Sequence, residues 1–227
     1  MFDTHLHFES LGDNDLMDMT MAGITDVVGA IYYPHLGLKY NCSTIKDLFE
    51  RLFGFESIRA KENRINLYYA LGVNMVSVPV DYEKLLEELP SLLKSNSNVV
   101  ALGEIGFEPS SETLKSIDDQ EKLFRRQVEI AREVDLPIIC HTPNPKELKY
   151  EYSKKLLDII DEMSFDPKNV IIDHASDYTA ELILERGAWC GLTVQPWRRF
   201  DPINAAETIM KIGVERVLVN SDFSFKR

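Results

Sequence analysis

Short apolar runs and longer amphipathic stretches take turns along the whole chain. Runs rich in Val, Ile, Leu or aromatic residues fall near 1–7, 24–33, 65–73, 98–104, 136–141, 169–174, 187–194 and 215–222, each short enough for a buried strand. Between them, the segments 13–22, 44–63, 81–94, 118–135, 151–163, 176–186 and 202–213 place apolar residues at helical spacing. In 118–135, for example, Leu123, Val128 and Ala131 can face a sheet while Arg125, Arg126, Glu129 and Arg132 face water. Eight strands alternating with seven helices predict an α/β fold, a (β/α)8 TIM barrel whose eighth helix is missing or lies beyond residue 227. A barrel without that helix is expected to expose apolar surface and to be poorly soluble or oligomeric. In the segment 44–63, a capping-type start at Thr44 and an apolar stripe of Leu48, Leu52 and Phe55 read as core packing.

Composition narrows this picture without changing it. With 227 residues and 44% apolar content, the chain fits one large core, and no linker or low-complexity tract divides it. The formal net charge of −12 argues against general affinity for nucleic acid or an anionic membrane. Cys42, Cys140 and Cys190 are odd in number and widely spaced, which favours free buried thiols in a reducing compartment. Neither a secretory leader nor an apolar run of ~20 residues is present, so a cytoplasmic location is expected.

The chemistry concentrates at strand ends. His5 and His7 are two residues apart in the first strand, share a face and can chelate one metal while Leu6 packs behind them. Glu104, His141, His174 and Asp222 each end a later apolar run, separated by 37, 33 and 48 residues. A barrel unit takes ~30 residues, so the first two gaps are one unit each and the third is two short ones. Four of the five histidines thus sit in barrel register at one rim, where a metal site explains them jointly better than separate core packing does. Glu104 and Asp222 follow, because an unpaired carboxylate at a buried strand end is costly without a cation.

These residues carry a resemblance. Asp3-Thr4-His5-Leu6-His7, Gly103-Glu104-Ile105-Gly106-Phe107-Glu108, Leu136-Pro137-Ile138-Ile139-Cys140-His141-Thr142-Pro143, Ile172-Asp173-His174 and Asn220-Ser221-Asp222 resemble, in order, the motifs of the TatD family of metal-dependent hydrolases in the amidohydrolase superfamily. Gly191-Leu192-Thr193-Val194-Gln195-Pro196 is similar to a branch described as predicted TIM-barrel metal-dependent hydrolases. The resemblance implies a single hydrolase domain over 1–227, C-terminally incomplete, with two divalent ions (Zn, Mn or Mg). His5, His7 and Asp222 would hold the first ion, His141 and His174 the second, and Glu104 would bridge them. Asp222 would orient the attacking water or carry its proton, on a phosphoester or an amide or lactone bond. A deoxyribonuclease of the TatD type, and a metal-binding biosynthetic or scaffold protein with little hydrolysis, are the alternatives.

Departures from the family pattern matter for substrate. Gly72-Val73-Asn74-Met75 stands where many members have Gly-x-His-Pro, and Glu108-Pro109 replaces the usual Asp-Tyr. Together with the acidic charge these favour a small-molecule or phosphodiester substrate over nucleic acid. Asn74, Glu108, Gln195 and Arg198 are the candidate substrate contacts, Arg198 and Arg199 forming an anion clamp or plain solvated charges. His35 reads as loop packing, Tyr32 and Tyr33 as core and rim aromatics, Cys140 as packed beneath a helix, and Gly103 and Gly106 as giving close backbone approach around Glu104.

Overall fold

A computed structural model describes residues 1–31, 40–195 and 200–224. His35, Tyr32, Tyr33, Arg198 and Arg199 lie outside them. Eight strands occupy the expected stretches: β1 (Phe2–Leu6), β2 (Asp26–Ala30), β3 (Asn66–Leu71), β4 (Val99–Gly106), β5 (Ile138–His141), β6 (Val170–Ala175), β7 (Trp189–Thr193) and β8 (Val217–Asn220). They pair in parallel and in sequence order. The ring closes where β1 meets the residues after β8: the His7 amide donates to the Phe223 carbonyl at 2.9 Å, and the Asp222 amide to the His5 carbonyl at 2.9 Å. Three of the candidate ligands therefore sit on the closing seam.

The intervening helices are α1 (Asp13–Met21), α2 (Cys42–Arg51), α3 (Ser57–Glu62), α4 (Tyr82–Lys94), α5 (Ile117–Val134), α6 (Lys146–Glu162), α7 (Ala180–Glu185) and α8 (Pro202–Ile212). Strand alternation splits the apolar residues into two populations. Leu67, Tyr69 and Leu71 of β3 join Leu85, Leu89 and Phe124 in the large core between strands and helices. Val28, Ala30, Ala70, Ala101 and Ile139 form a smaller cluster within the ring. Cys140 belongs to the outer core, as its position beside His141 predicts. Among the described residues no helix follows β8, and Val219 is 44% exposed there.

The segment expected as one helix over 44–63 is helical but interrupted. It starts at Cys42, two residues early, because Asp81 Oδ1 accepts from the Cys42 amide at 2.7 Å and satisfies that first donor. Leu52–Glu56 then forms a wider π turn, which shifts the helix face after it. Leu52 stays buried, but Phe55 emerges to 57% exposure, with the Arg51 and Arg59 guanidinium groups over its ring. Glu56 turns inward in its place and pairs with Arg51 at 2.6 Å and Arg59 at 2.5 Å. The apolar stripe thus ends at Leu52.

Candidate metal centre at the barrel rim

β1, β4, β5 and β6 deliver their histidines and Glu104 to one rim of the ring. Gly106, at φ +144°, permits this convergence on the β4 side, since a Cβ there would overlap the His141 carbonyl. Two sets of donor atoms, each within 4.8 Å of one another, result: His5, His7 and Glu104, and Glu104, His141 and His174. All five residues are buried. Glu104 belongs to both sets. Its Oε1 lies 2.8 Å from His141 Nδ1 and 2.8 Å from His174 Nε2, and its Oε2 lies 3.8 Å from His5 Nε2. Asp222, with an 11% exposed side chain, places Oδ1 3.1 Å from His7 Nε2.

Behind the site, three rings are held by their other nitrogen. His5 Nδ1 meets Asp173 Oδ2 at 2.5 Å, His7 Nδ1 meets the Ala30 carbonyl at 2.9 Å, and His174 Nδ1 meets Thr193 Oγ1 at 2.8 Å. The Nε2 atoms of His5 and His174 face the shared carboxylate, that of His7 faces Asp222, and His5 Nε2 is buried with no hydrogen-bond partner. Imidazole and carboxylate oxygen suit Zn²⁺, Mn²⁺ and similar borderline ions. An orphaned ring nitrogen beside a carboxylate is what a divalent ion would satisfy, so these residues fit a metal.

The electrostatics point the same way. Burial alone would depress the His5 imidazole, but the Glu104 and Asp173 carboxylates override it and push it up to about 10. His141 follows suit, pushed up to about 9 against burial by Glu104 and Glu108. Burial would raise Glu104, yet His141 and His5 hold it well below the usual carboxylate range. Against the same penalty, His141 holds Glu108 at about 2, and His5 holds Asp173 at about 2. A cluster so rich in carboxylate gathers cations, as protons or as metal.

Two of the converging residues have left-handed backbones, His174 at φ 57° and Asp222 at φ 46°. Such residues cost about 1–3 kcal/mol and persist where the surroundings overdetermine them. The His174 amide donates to Asp173 Oδ1 at 2.9 Å, and its carbonyl accepts from the buried Lys149 Nζ at 2.5 Å. Asp222 is held by its amide bond to His5 and by Gln195, whose Nε2 donates to the Ser221 and Asp222 carbonyls at 3.0 and 3.2 Å.

A cleft of about 660 Å³ opens over the cluster, and His7, Glu104, His141, His174 and Asp222 line its floor. Asn74, Glu108 and Gln195 line it too, each with bonds of its own. Asn74 Nδ2 donates to Glu104 Oε2 at 2.9 Å, so Asn74 orients the shared carboxylate. Glu108 Oε2 lies 3.2 Å from His141 Nε2, and its Oε1 accepts from Ser110. Arg198 is outside the described residues.

Sequence reasoning quoted Asp3, Asp173, Thr193 and Asn220 within motifs but gave them no role. Asp3 accepts from the His5 amide and from the Ser221 amide and hydroxyl, tying β1 to the segment after β8. Asp173, Thr193 and Asn220 form a buried polar row behind the histidines. Asp173 adjoins His174, and Asp3 and Asn220 stand two residues before His5 and Asp222, which was the available signal; Thr193 had none.

A parallel eight-stranded barrel carrying histidine and carboxylate triads at one rim is the frame of a metal-dependent hydrolase. The chain belongs to the TatD family, whose model, TatD related DNase, matches residues 2–225. It is 33% identical over 227 residues to an uncharacterized metal-dependent hydrolase of Methanocaldococcus jannaschii, covering 98% of this chain and 83% of that one. The crystal structure of the TatD-like protein from Archaeoglobus fulgidus superposes with a TM-score of 0.82 at 30% identity, over 100% of this chain and 87% of the other. Deoxyribonuclease Tat-D of Schizosaccharomyces pombe is 25% identical over 146 residues, 63% of this chain and 44% of its own length. Among the described residues no helix is long and apolar enough to cross a membrane.

Proposed function

We propose that the protein hydrolyses phosphoester bonds with a pair of divalent ions, one in each donor triad, bridged by Glu104. The observation that carries this reading is the membership of Glu104 in both triads. When bound, such ions polarise the scissile phosphoryl or carbonyl group and lower the pKa of a coordinated water towards ~7. His5 and His7, with Asp222, would hold the first ion and His141 and His174 the second, while the Glu104 charge would offset the repulsion between them. Asp222 stands at the cleft floor, next to His7, and receives the proton of the attacking water. Asn74 keeps Glu104 turned to bridge, and Gln195 steadies the backbone of Asp222. Glu108, which lines the cleft, contacts the substrate, and Arg198, outside the described residues, is a further candidate from the sequence alone. The carboxylates lining the cleft favour a compact substrate over a long polyanion.

The same centre serves amide or lactone hydrolysis, and the similarity to the fission-yeast deoxyribonuclease supports DNA cleavage as a second reading. A panel separates them: bis(p-nitrophenyl) phosphate, a lactone, a dipeptide and single-stranded DNA, each with Mn²⁺, Zn²⁺ or Mg²⁺. Phosphodiester turnover that disappears in Glu104→Gln and His141→Ala supports the proposal. Turnover of the lactone or dipeptide alone contradicts its phosphoester part. Full metal loading with no turnover of any substrate favours a metal-binding scaffold.

A further inference from the structure

We propose that Asp173, Asn220 and Thr193 form a positioning relay that sets the metal-ready tautomer of one histidine in each triad from a single buried carboxylate. The relay depends on the two-metal reading only for the number of ions it serves. All three residues are buried, with Asp173 1%, Thr193 1% and Asn220 4% exposed, so their hydrogen bonds must be satisfied within the protein.

The direction of each bond follows from what each group can do. An ionised carboxylate only accepts, so the Asn220 group 2.7 Å from Asp173 Oδ1 is its NH₂. The amide oxygen of Asn220 then faces Thr193 Oγ1 at 2.9 Å. That oxygen only accepts, so Thr193 spends its one hydroxyl hydrogen on it. Thr193 Oγ1 is left as an acceptor towards His174 Nδ1 at 2.8 Å, and His174 must carry its hydrogen on Nδ1. Its Nε2 lone pair is thereby turned to Glu104 Oε1, 2.8 Å away. The two atoms are joined either by a proton on Nε2 or, once that proton leaves, by a divalent ion.

The other oxygen of Asp173 does the same for the first triad. Oδ2 accepts from His5 Nδ1 at 2.5 Å and leaves His5 Nε2, the buried nitrogen without a hydrogen-bond partner, as the ring atom that faces Glu104 and can take an ion. Asp173 is fixed in turn. Its Oδ1 also accepts the His174 amide, its carbonyl accepts from Thr142 Oγ1 at 2.7 Å, and its carboxylate fills the space that Gly191 leaves empty. Outer partners of this kind orient metal-binding imidazoles, and their loss costs about 10–100-fold in metal affinity. Here one carboxylate reaches both triads, directly at His5 and through two neutral side chains at His174. Without the relay, the Thr193 hydroxyl is free to donate to His174 Nδ1, which moves the ring hydrogen to Nε2 and blocks it.

Zinc titration by calorimetry, on wild type and variants shown to be folded by circular dichroism, tests the relay. Wild type takes up two equivalents. Thr193→Val and Asn220→Leu keep one equivalent at wild-type affinity and bind the other about 10–100-fold more weakly. Thr193→Ser, which keeps the hydroxyl, retains both, and Asp173→Asn weakens both. Thr193→Val binding two equivalents as wild type does, or losing the two equally, overturns the relay. The ¹⁵N imidazole spectrum of the zinc-loaded wild type decides independently of any variant: hydrogen on Nδ1 of both His5 and His174 supports the relay, and hydrogen on Nε2 of His174 refutes it. A wild type that takes up a single ion removes the two-metal reading, and the spectrum then judges the relay by itself.

Discussion

Gly191→Ala puts a methyl group where Asp173 needs room. A Cβ on Gly191 would lie 2.5 Å from Asp173 Oδ1, closer than real Cβ contacts come, and 3.1 Å from its Cγ, tighter than nearly all of them. The carboxylate must withdraw by about 0.5 Å to restore a 3.0 Å contact. Its bonds from Asn220 Nδ2 and the His174 amide, now 2.7 and 2.9 Å, then stretch towards or past the ~3.2 Å limit of a good hydrogen bond. Overpacking of a tight interior costs about 1–3 kcal/mol, and weakening bonds to a charged acceptor adds about 1.5–3 kcal/mol. The total, roughly 3–6 kcal/mol, is a large part of the ~5–15 kcal/mol that stabilises an ordinary domain. At about 2–4 °C per kcal/mol for a chain of this length, Tm falls by roughly 6–24 °C. Differential scanning calorimetry of the metal-free protein measures it, with Gly54→Ala as the control, because no atom lies within 4 Å of a Cβ there. Gly54→Ala is expected to stay within ~1 kcal/mol of wild type. A Gly191→Ala protein with wild-type Tm and wild-type zinc affinity would refute the placement of Asp173 behind the histidines.

Glu104→Gln removes the one charge common to both triads, and zinc titration is expected to show loss of both equivalents, where His7→Ala affects chiefly one. In the metal-free protein His5 and His141 keep their protons up to about 10 and about 9, above the ordinary imidazole value of 6.5. Stability from these pairs is complete below pH 6.5 and is lost as pH rises through 9 and 10. The urea midpoint of the metal-free protein should therefore drop between pH 7 and 10, and an unchanged midpoint contradicts the pairing. For the same reason zinc must displace those protons, so its affinity rises from pH 6 to 8 with measurable proton release. Burial pushes the Cys190 thiol up to about 12 and the Cys140 thiol further still. Both should resist iodoacetamide at pH 8 in the native protein and react once urea unfolds it, as mass spectrometry of the labelled peptides will show.

The order of strands and the rim on which the ligands gather were legible because barrel geometry translates directly into sequence. Each strand is a short apolar run, and each ligand ends one. Glu104 could be placed beside His141 and His174 from spacing alone, since one unit separates consecutive members. What the pattern could not carry was the direction of side chains that act on one another. Asn74 and Gln195 read as substrate contacts and both line the cleft, but the bonds of their amides to Glu104 and to the Asp222 backbone leave no mark in the sequence. Asp173 was hidden by its neighbour: alternation puts adjacent residues on opposite faces, and only the left-handed turn at His174 brings both to the same cluster. Phe55 was misplaced because a π turn leaves no mark in an apolar repeat until the register has already shifted.

The most direct test of the metal centre is anomalous diffraction from zinc-loaded crystals. Two peaks are predicted, one coordinated by His5 and His7 and the other by His141 and His174, with Glu104 on both and ligand distances of about 2.0–2.2 Å. Zinc bound anywhere else, or a cluster that stays free of zinc at saturating concentration, would contradict the account.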